Sequence, residues 1–150
     1  MPVIAVVGLA LLAVPRVVLH DLGVLTPGTA LNLVLVVAPP FVWVATALLA
    51  GVRRPFVTLL AIGVVHALLL ALVHQLLWGA AFAGAAPRLG GRLAGLDPLV
   101  QELVLRSAAI VSSLVTGIVL GAVLGLLAEV LARVARGGRG RAQRRSVSTR

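Results

Sequence analysis

Few side chains in this sequence can do chemistry, and most of them fall at one level of an otherwise apolar chain. His20 and Asp21 end the first apolar run, His74 lies near the end of the third, and Asp97 and Glu102 open the last. Imidazole and carboxylate together suit zinc or another divalent ion. With Arg16, Arg88, Arg92 and Arg106 at the same level they equally suit an ion-pair cluster that responds to pH. No compact ligand motif such as HExxH ties them together. The first expectation is therefore interfacial solvation, with a metal or solute site as the sharper alternative; no metal is assigned and no cofactor is expected.

His66 stands apart, near the middle of the third run. An ionisable residue at membrane depth is a functional hypothesis by default. Ser112 and Thr116 share its depth, which makes His66, Ser112 and Thr116 a candidate intramembrane polar site. The plainer expectation is a neutral imidazole bonded to Thr116 or Ser113, since a proton relay needs a chain of titrating groups. Five serines and four acids show no nucleophile and base at a catalytic spacing, and there is no cysteine, so enzymatic activity is not expected.

The elements that must hold these residues are membrane helices. The chain is 61% hydrophobic and 11% charged, with a mean hydropathy of +1.15. So few polar residues cannot cover a soluble core. All thirteen basic residues are arginine and the net charge is +9, but they flank apolar runs instead of forming the basic face that nucleic-acid binding needs. The arginine, alanine, valine and leucine usage suggests a GC-rich bacterial genome.

The expected fold class is all-α, a polytopic bundle of four transmembrane helices over residues 1–136. Spans are expected at about 2–20, 30–50, 55–78 and 107–132, with the last helix starting near 98. Pro15 and Arg16 interrupt the first span, where a kink and a snorkelling arginine are expected. No basic segment precedes this run and no small-residue cleavage site follows it, so a retained helix is expected over a cleaved signal peptide. Pro39 and Pro40 leave the carbonyls of Leu35 and Val36 without helical donors, which predicts a kink or a locally open turn. Asp97-Pro98 is a helix start, and Gly137-Gly138 reads as its stop. Residues 137–150 read as a disordered, basic cytoplasmic tail.

With four spans, nine arginines (Arg53, Arg54, Arg133 and beyond) fall on one side and four (Arg16, Arg88, Arg92, Arg106) on the other. The positive-inside rule then predicts both termini in the cytoplasm, in a bacterial plasma membrane. The arginine tail could also contact anionic lipid.

Ala109, Ser113, Gly117, Gly121 and Gly125 recur every fourth residue along the last span. Four residues overshoot a helical turn by ~40°, so they form an inclined ridge of the kind that brings helices close in lipid. The ridge is expected to pack within the chain first and against a second copy or a partner subunit next. It also makes the last helix the expected central post of the bundle. The function these features point to is a non-enzymatic membrane subunit assembled through that helix. The alternative is a small transporter or channel component for an ion, proton or small solute, marked by a water-accessible pocket at His66, His20 or His74.

Overall fold

The structure, a computed structural model, describes residues 1–82, 84, 85 and 87–148, with side chains among these as far as residue 136. The described residues form helices and connections, without strands. Four helical stretches, Val3–Asp21, Ala30–Leu49, Pro55–Leu76 and Pro98–Arg136, are long and apolar enough to cross a membrane.

The first stretch is two helices, α1 (Val3–Leu11) and α2 (Val14–Asp21). Its break comes just before Pro15, whose ring would collide with the carbonyl four residues earlier. Leu12 and Ala13 instead bond back three residues, to Leu9 and Ala10, and Pro15 sits in the first turn of α2, where no donor is missed. The break has a second support. The buried Trp43 indole donates from Nε1 to the Leu9 carbonyl at 2.7 Å, a carbonyl that Ala13 has left. Replacing Trp43 by phenylalanine removes this donor and is expected to cost roughly 1–3 kcal/mol. Reversible unfolding in mixed micelles measures it; a change within error would make Trp43 a filler of volume only.

Helix α3 (Ala30–Leu49) is capped by Thr29, whose hydroxyl accepts from the Asn32 N–H. It stays helical through Pro39 and Pro40, so the open turn considered for that pair does not form. Two backbone bonds are lost there, but turns on either side keep theirs, and an apolar environment penalises every further open backbone group. Gly51, at φ +59°, makes the tight turn into α4 (Pro55–Leu76). A four-residue helix α5 (Trp78–Ala81), a 3-10 turn (Gly91–Leu93) and α6 (Pro98–Ser148) follow.

The central helix is α4, which touches α1, α2, α3, α5 and α6. This corrects the expectation that the last helix is the post; α6 lies to one side, mainly along α4. The two run antiparallel, with Phe56 beside Gly125 at one end and Ala67 beside Gly117 nearer the other. Gly63 faces Gly117 and Gly121 between them. The remaining core is a cluster around Trp43, Leu59 and Ile62, all fully buried, with Ala10 and Ala47 completing it from α1 and α3.

The α6 backbone also runs through Gly137 and Gly138, past the stop expected there, to Ser148. Glycine in a helix costs only about 1 kcal/mol relative to alanine, and the alanine, arginine and glutamine that flank the pair are good helix formers. The basic tail expected at residues 137–150 lies, in its side chains and in residues 149 and 150 altogether, outside the described residues.

Candidate functional site

A cluster of polar side chains forms where α2 and α4 end together. Asp21 closes α2 and is only 3% exposed. An ionised carboxylate accepts and cannot donate, so both neighbouring imidazoles donate to it. His74 Nδ1 donates to Oδ2 at 2.6 Å and His20 Nδ1 to Oδ1 at 3.2 Å. Each carboxylate oxygen thus has a donor, and each imidazole is held by the same ring nitrogen. The similar segments Val17–Leu22 and Ala71–Leu76 explain the meeting. They end neighbouring helices at one level, and the His74 bond ties α2 to α4 across 53 residues of sequence.

Beside this cluster is a cavity of about 440 Å³. Arg16, His20, Asp21 and His74 form one part of its wall, and Ser112, Ser113 and Thr116 of α6 another. Leu70, Trp78 and Phe82 supply apolar surface. Arg16 is positioned by the start of α3, where its Nε donates to Asn32 Oδ1 at 3.4 Å. Trp78 and Phe82 meet edge to face, with centroids 4.9 Å apart. Arg106 lies over the Trp78 ring, 4.9 Å from its centroid, a cation–π contact. Arg106 is fixed in turn by Glu102 at 2.8 Å and by the carbonyl and side-chain oxygens of Gln75.

Of the five candidates expected at one level, then, His20, Asp21 and His74 come together, while Asp97 and Glu102 are used elsewhere. Asp97 caps α6, accepting from the Leu99 N–H at 2.8 Å. It lies twelve residues before Ala109 on that helix, about 18 Å away at ~1.5 Å per residue. Glu102 pairs with Arg106. Among the described residues no group of three His, Cys, Asp or Glu side chains is arranged to hold a metal ion.

The intramembrane trio does not form one site. Ser112 and Thr116 line the cavity beside Asp21, whereas His66 is buried in the core, its ring and that of Trp43 meeting edge to face with centroids 5.6 Å apart. Neither hydroxyl expected to bond His66 does so. Ser113 donates back to the Ala109 carbonyl at 2.8 Å, and His66 Nδ1 has no partner among the described residues. The small-residue ridge is covered by the chain's own α4: Ser113, Gly117, Gly121 and Gly125 are buried, and Ala109 is half-buried beside the cavity.

Five further residues contribute that the spacing arguments do not name. Gly63, Ala67 and Ala71 repeat at four-residue spacing in the third span and mirror the ridge on α6, a signal that was there to be read. Gln75 signals nothing by type or spacing. Gln101, 8% exposed, anchors the connection between α5 and α6 by accepting from Leu89 N–H and donating to the carbonyls of Ala94 and Leu96. No family model matches the chain, and comparison with curated proteins and with solved structures finds no match either.

Proposed function

We propose that this chain is a small multi-pass membrane protein that binds a small solute at the α2–α4–α6 cavity, as a non-enzymatic transport or solute-binding subunit. The observation that carries this is the convergence of Arg16, His20, Asp21 and His74 with three α6 hydroxyls around one cavity. Its size suits a small organic molecule, and its mixed lining of apolar surface with a few polar groups is that of a ligand pocket. Assembly through the α6 ridge has less support, because α4 already occupies Gly117, Gly121 and Gly125. The arginine distribution supports a bacterial cytoplasmic membrane with both termini inside, which puts the cavity toward the outer face.

One experiment tests both the cavity and the orientation. The chain has no cysteine, so single cysteines can be introduced without a background. Ser112→Cys and Thr116→Cys, in intact cells, are expected to react with a membrane-impermeant maleimide added from outside. Ile118→Cys, exposed and about 200° around α6 from Thr116, is expected to stay unlabelled. Labelling of the two cavity positions only after permeabilisation would reverse the topology; no labelling in either case would remove the water-accessible cavity, and the proposal with it.

A further inference from the structure

The charges around the cavity are unevenly matched. Asp21 is its only carboxylate, and both of its oxygens are taken by the two imidazoles. Arg16, across the same wall, has no acidic partner among the described residues; its one side-chain bond is the long one from Nε to Asn32, which leaves the terminal guanidinium nitrogens without a protein acceptor. A cation at the edge of an apolar environment is stabilised by water or by an anion. The Trp78 ring, 9% exposed, lines the same cavity. Arginine's planar fork favours carboxylate and phosphate oxygens over other acceptors.

The same facts argue against a divalent cation. Both oxygens of the carboxylate are already engaged, a fixed positive charge faces the space, and no three-ligand group exists among the described residues.

We propose that the cavity takes an anionic group, a carboxylate or a phosphate, on the Arg16 guanidinium, with the apolar part of the same molecule against Leu70, Trp78 and Phe82. This rests on the reading of the cavity as a solute site and names the class of solute. The Ser112 and Thr116 hydroxyls supply further donors to the anion's oxygens. The anion can arrive as a soluble organic acid or as the phosphate of an anionic lipid, since the chemistry at Arg16 is the same for both.

The test uses the full chain in phosphatidylcholine nanodiscs and three probes that share an apolar body and differ in charge: phenylacetate, 2-phenylethanol and phenethylamine. Tryptophan fluorescence and the thermal unfolding midpoint report binding. Phenylacetate is expected to bind saturably and to raise the midpoint, at least tenfold more tightly than the other two. Arg16→Gln is expected to weaken it by about tenfold or more, and Arg16→Lys, which keeps the charge, by less. Nanodiscs containing phosphatidylglycerol separate the sources: displacement of phenylacetate assigns the site to a lipid phosphate, and undisturbed binding to a soluble acid, the anionic class standing in both. Equal binding of the amine or the alcohol, tighter binding of Zn²⁺ added alone, or an unchanged Arg16→Gln variant overturns the anion assignment and leaves a solute site. Absence of saturable binding by every probe overturns the site reading itself. Because the probe series is run on the unaltered protein, it decides the matter even if Arg16→Gln fails to fold.

Discussion

Adding one methyl group at Gly63 is expected to destabilise the protein by roughly 3 kcal/mol or more, while the same change at Gly8 leaves stability unchanged or raises it by up to ~1 kcal/mol. Both glycines are helical, so alanine improves the local propensity of each by the same amount. Their surroundings decide the sign. A Cβ at Gly63 would lie 2.5 Å from the Gly117 carbonyl oxygen and 2.6 Å from the Gly121 Cα, whereas a Cβ at Gly8 meets nothing within 4 Å. The atoms in the way at Gly63 are backbone, which no rotamer change can move aside, so α4 and α6 must separate. Separation removes contact along the whole pair, because a Cβ at Gly117 would lie 2.6 Å from Ala67 and one at Gly121 2.8 Å from the Leu59 carbonyl oxygen. In lipid that contact is most of what holds two helices together. Gly121→Leu is expected to be worse still, and to lower folded yield. Unfolding of the Gly63→Ala and Gly8→Ala variants in the same mixed micelles gives the comparison; equal midpoints would mean that the two helices are not in close contact.

That pairing also shows why part of the architecture was readable from the chain and part was not. Four apolar runs separated by charges and turn residues identify four membrane-length helices, because charge is kept out of hydrocarbon whatever the packing. Which helix stands at the centre is another matter. Lipid and protein core are equally apolar, so a membrane helix need not display a polar face to say which side it buries. Only small residues mark the contact, and they mark it on both partners: Gly63, Ala67 and Ala71 carry the same spacing as the α6 ridge. Reading the ridge on α6 alone made that helix look central, whereas the contacts radiate from α4.

The candidate site at the ends of α2 and α4 divides along similar lines. His20, Asp21 and His74 could be brought together by level alone, since all three end helices that run the same way. Asp97 and Glu102 belong to a helix that begins well beyond that level, and its rise per residue carries them past the cluster. The Ser112 and Thr116 hydroxyls were assigned to His66 on depth; the rotation of α6 against α4, which no spacing rule specifies, turns them to the cavity instead.

Removing the Asp21 carboxylate should have the largest effect of any change at that cavity, and the two histidines should share it unequally. Asp21→Asn preserves the size of the side chain but offers one acceptor oxygen in place of two, and its amide group faces an imidazole N–H as donor against donor. One histidine must rotate or change tautomer. The expected loss is about 1.5–3 kcal/mol for the bond to His74, a charge-assisted hydrogen bond at 2.6 Å to a carboxylate that is 3% exposed. The bond to His20 is longer, 3.2 Å, and its imidazole is 45% exposed, so solvent screening holds its share below ~1 kcal/mol. Connectivity widens the difference. His74 joins α4 to α2, whereas His20 is the residue next to Asp21 and crosses no helix boundary. A double-mutant cycle between Asp21→Asn and His74→Ala should therefore give a coupling at least twice that of the cycle with His20→Ala. Binding to the cavity should fall with the first pair more than with the second, because His74 and Asp21 set the spacing of the walls that Arg16 and the α6 hydroxyls complete. Equal couplings in the two cycles would mean that Asp21 serves only as a local partner at the end of α2, and that the cavity does not depend on the link between α2 and α4.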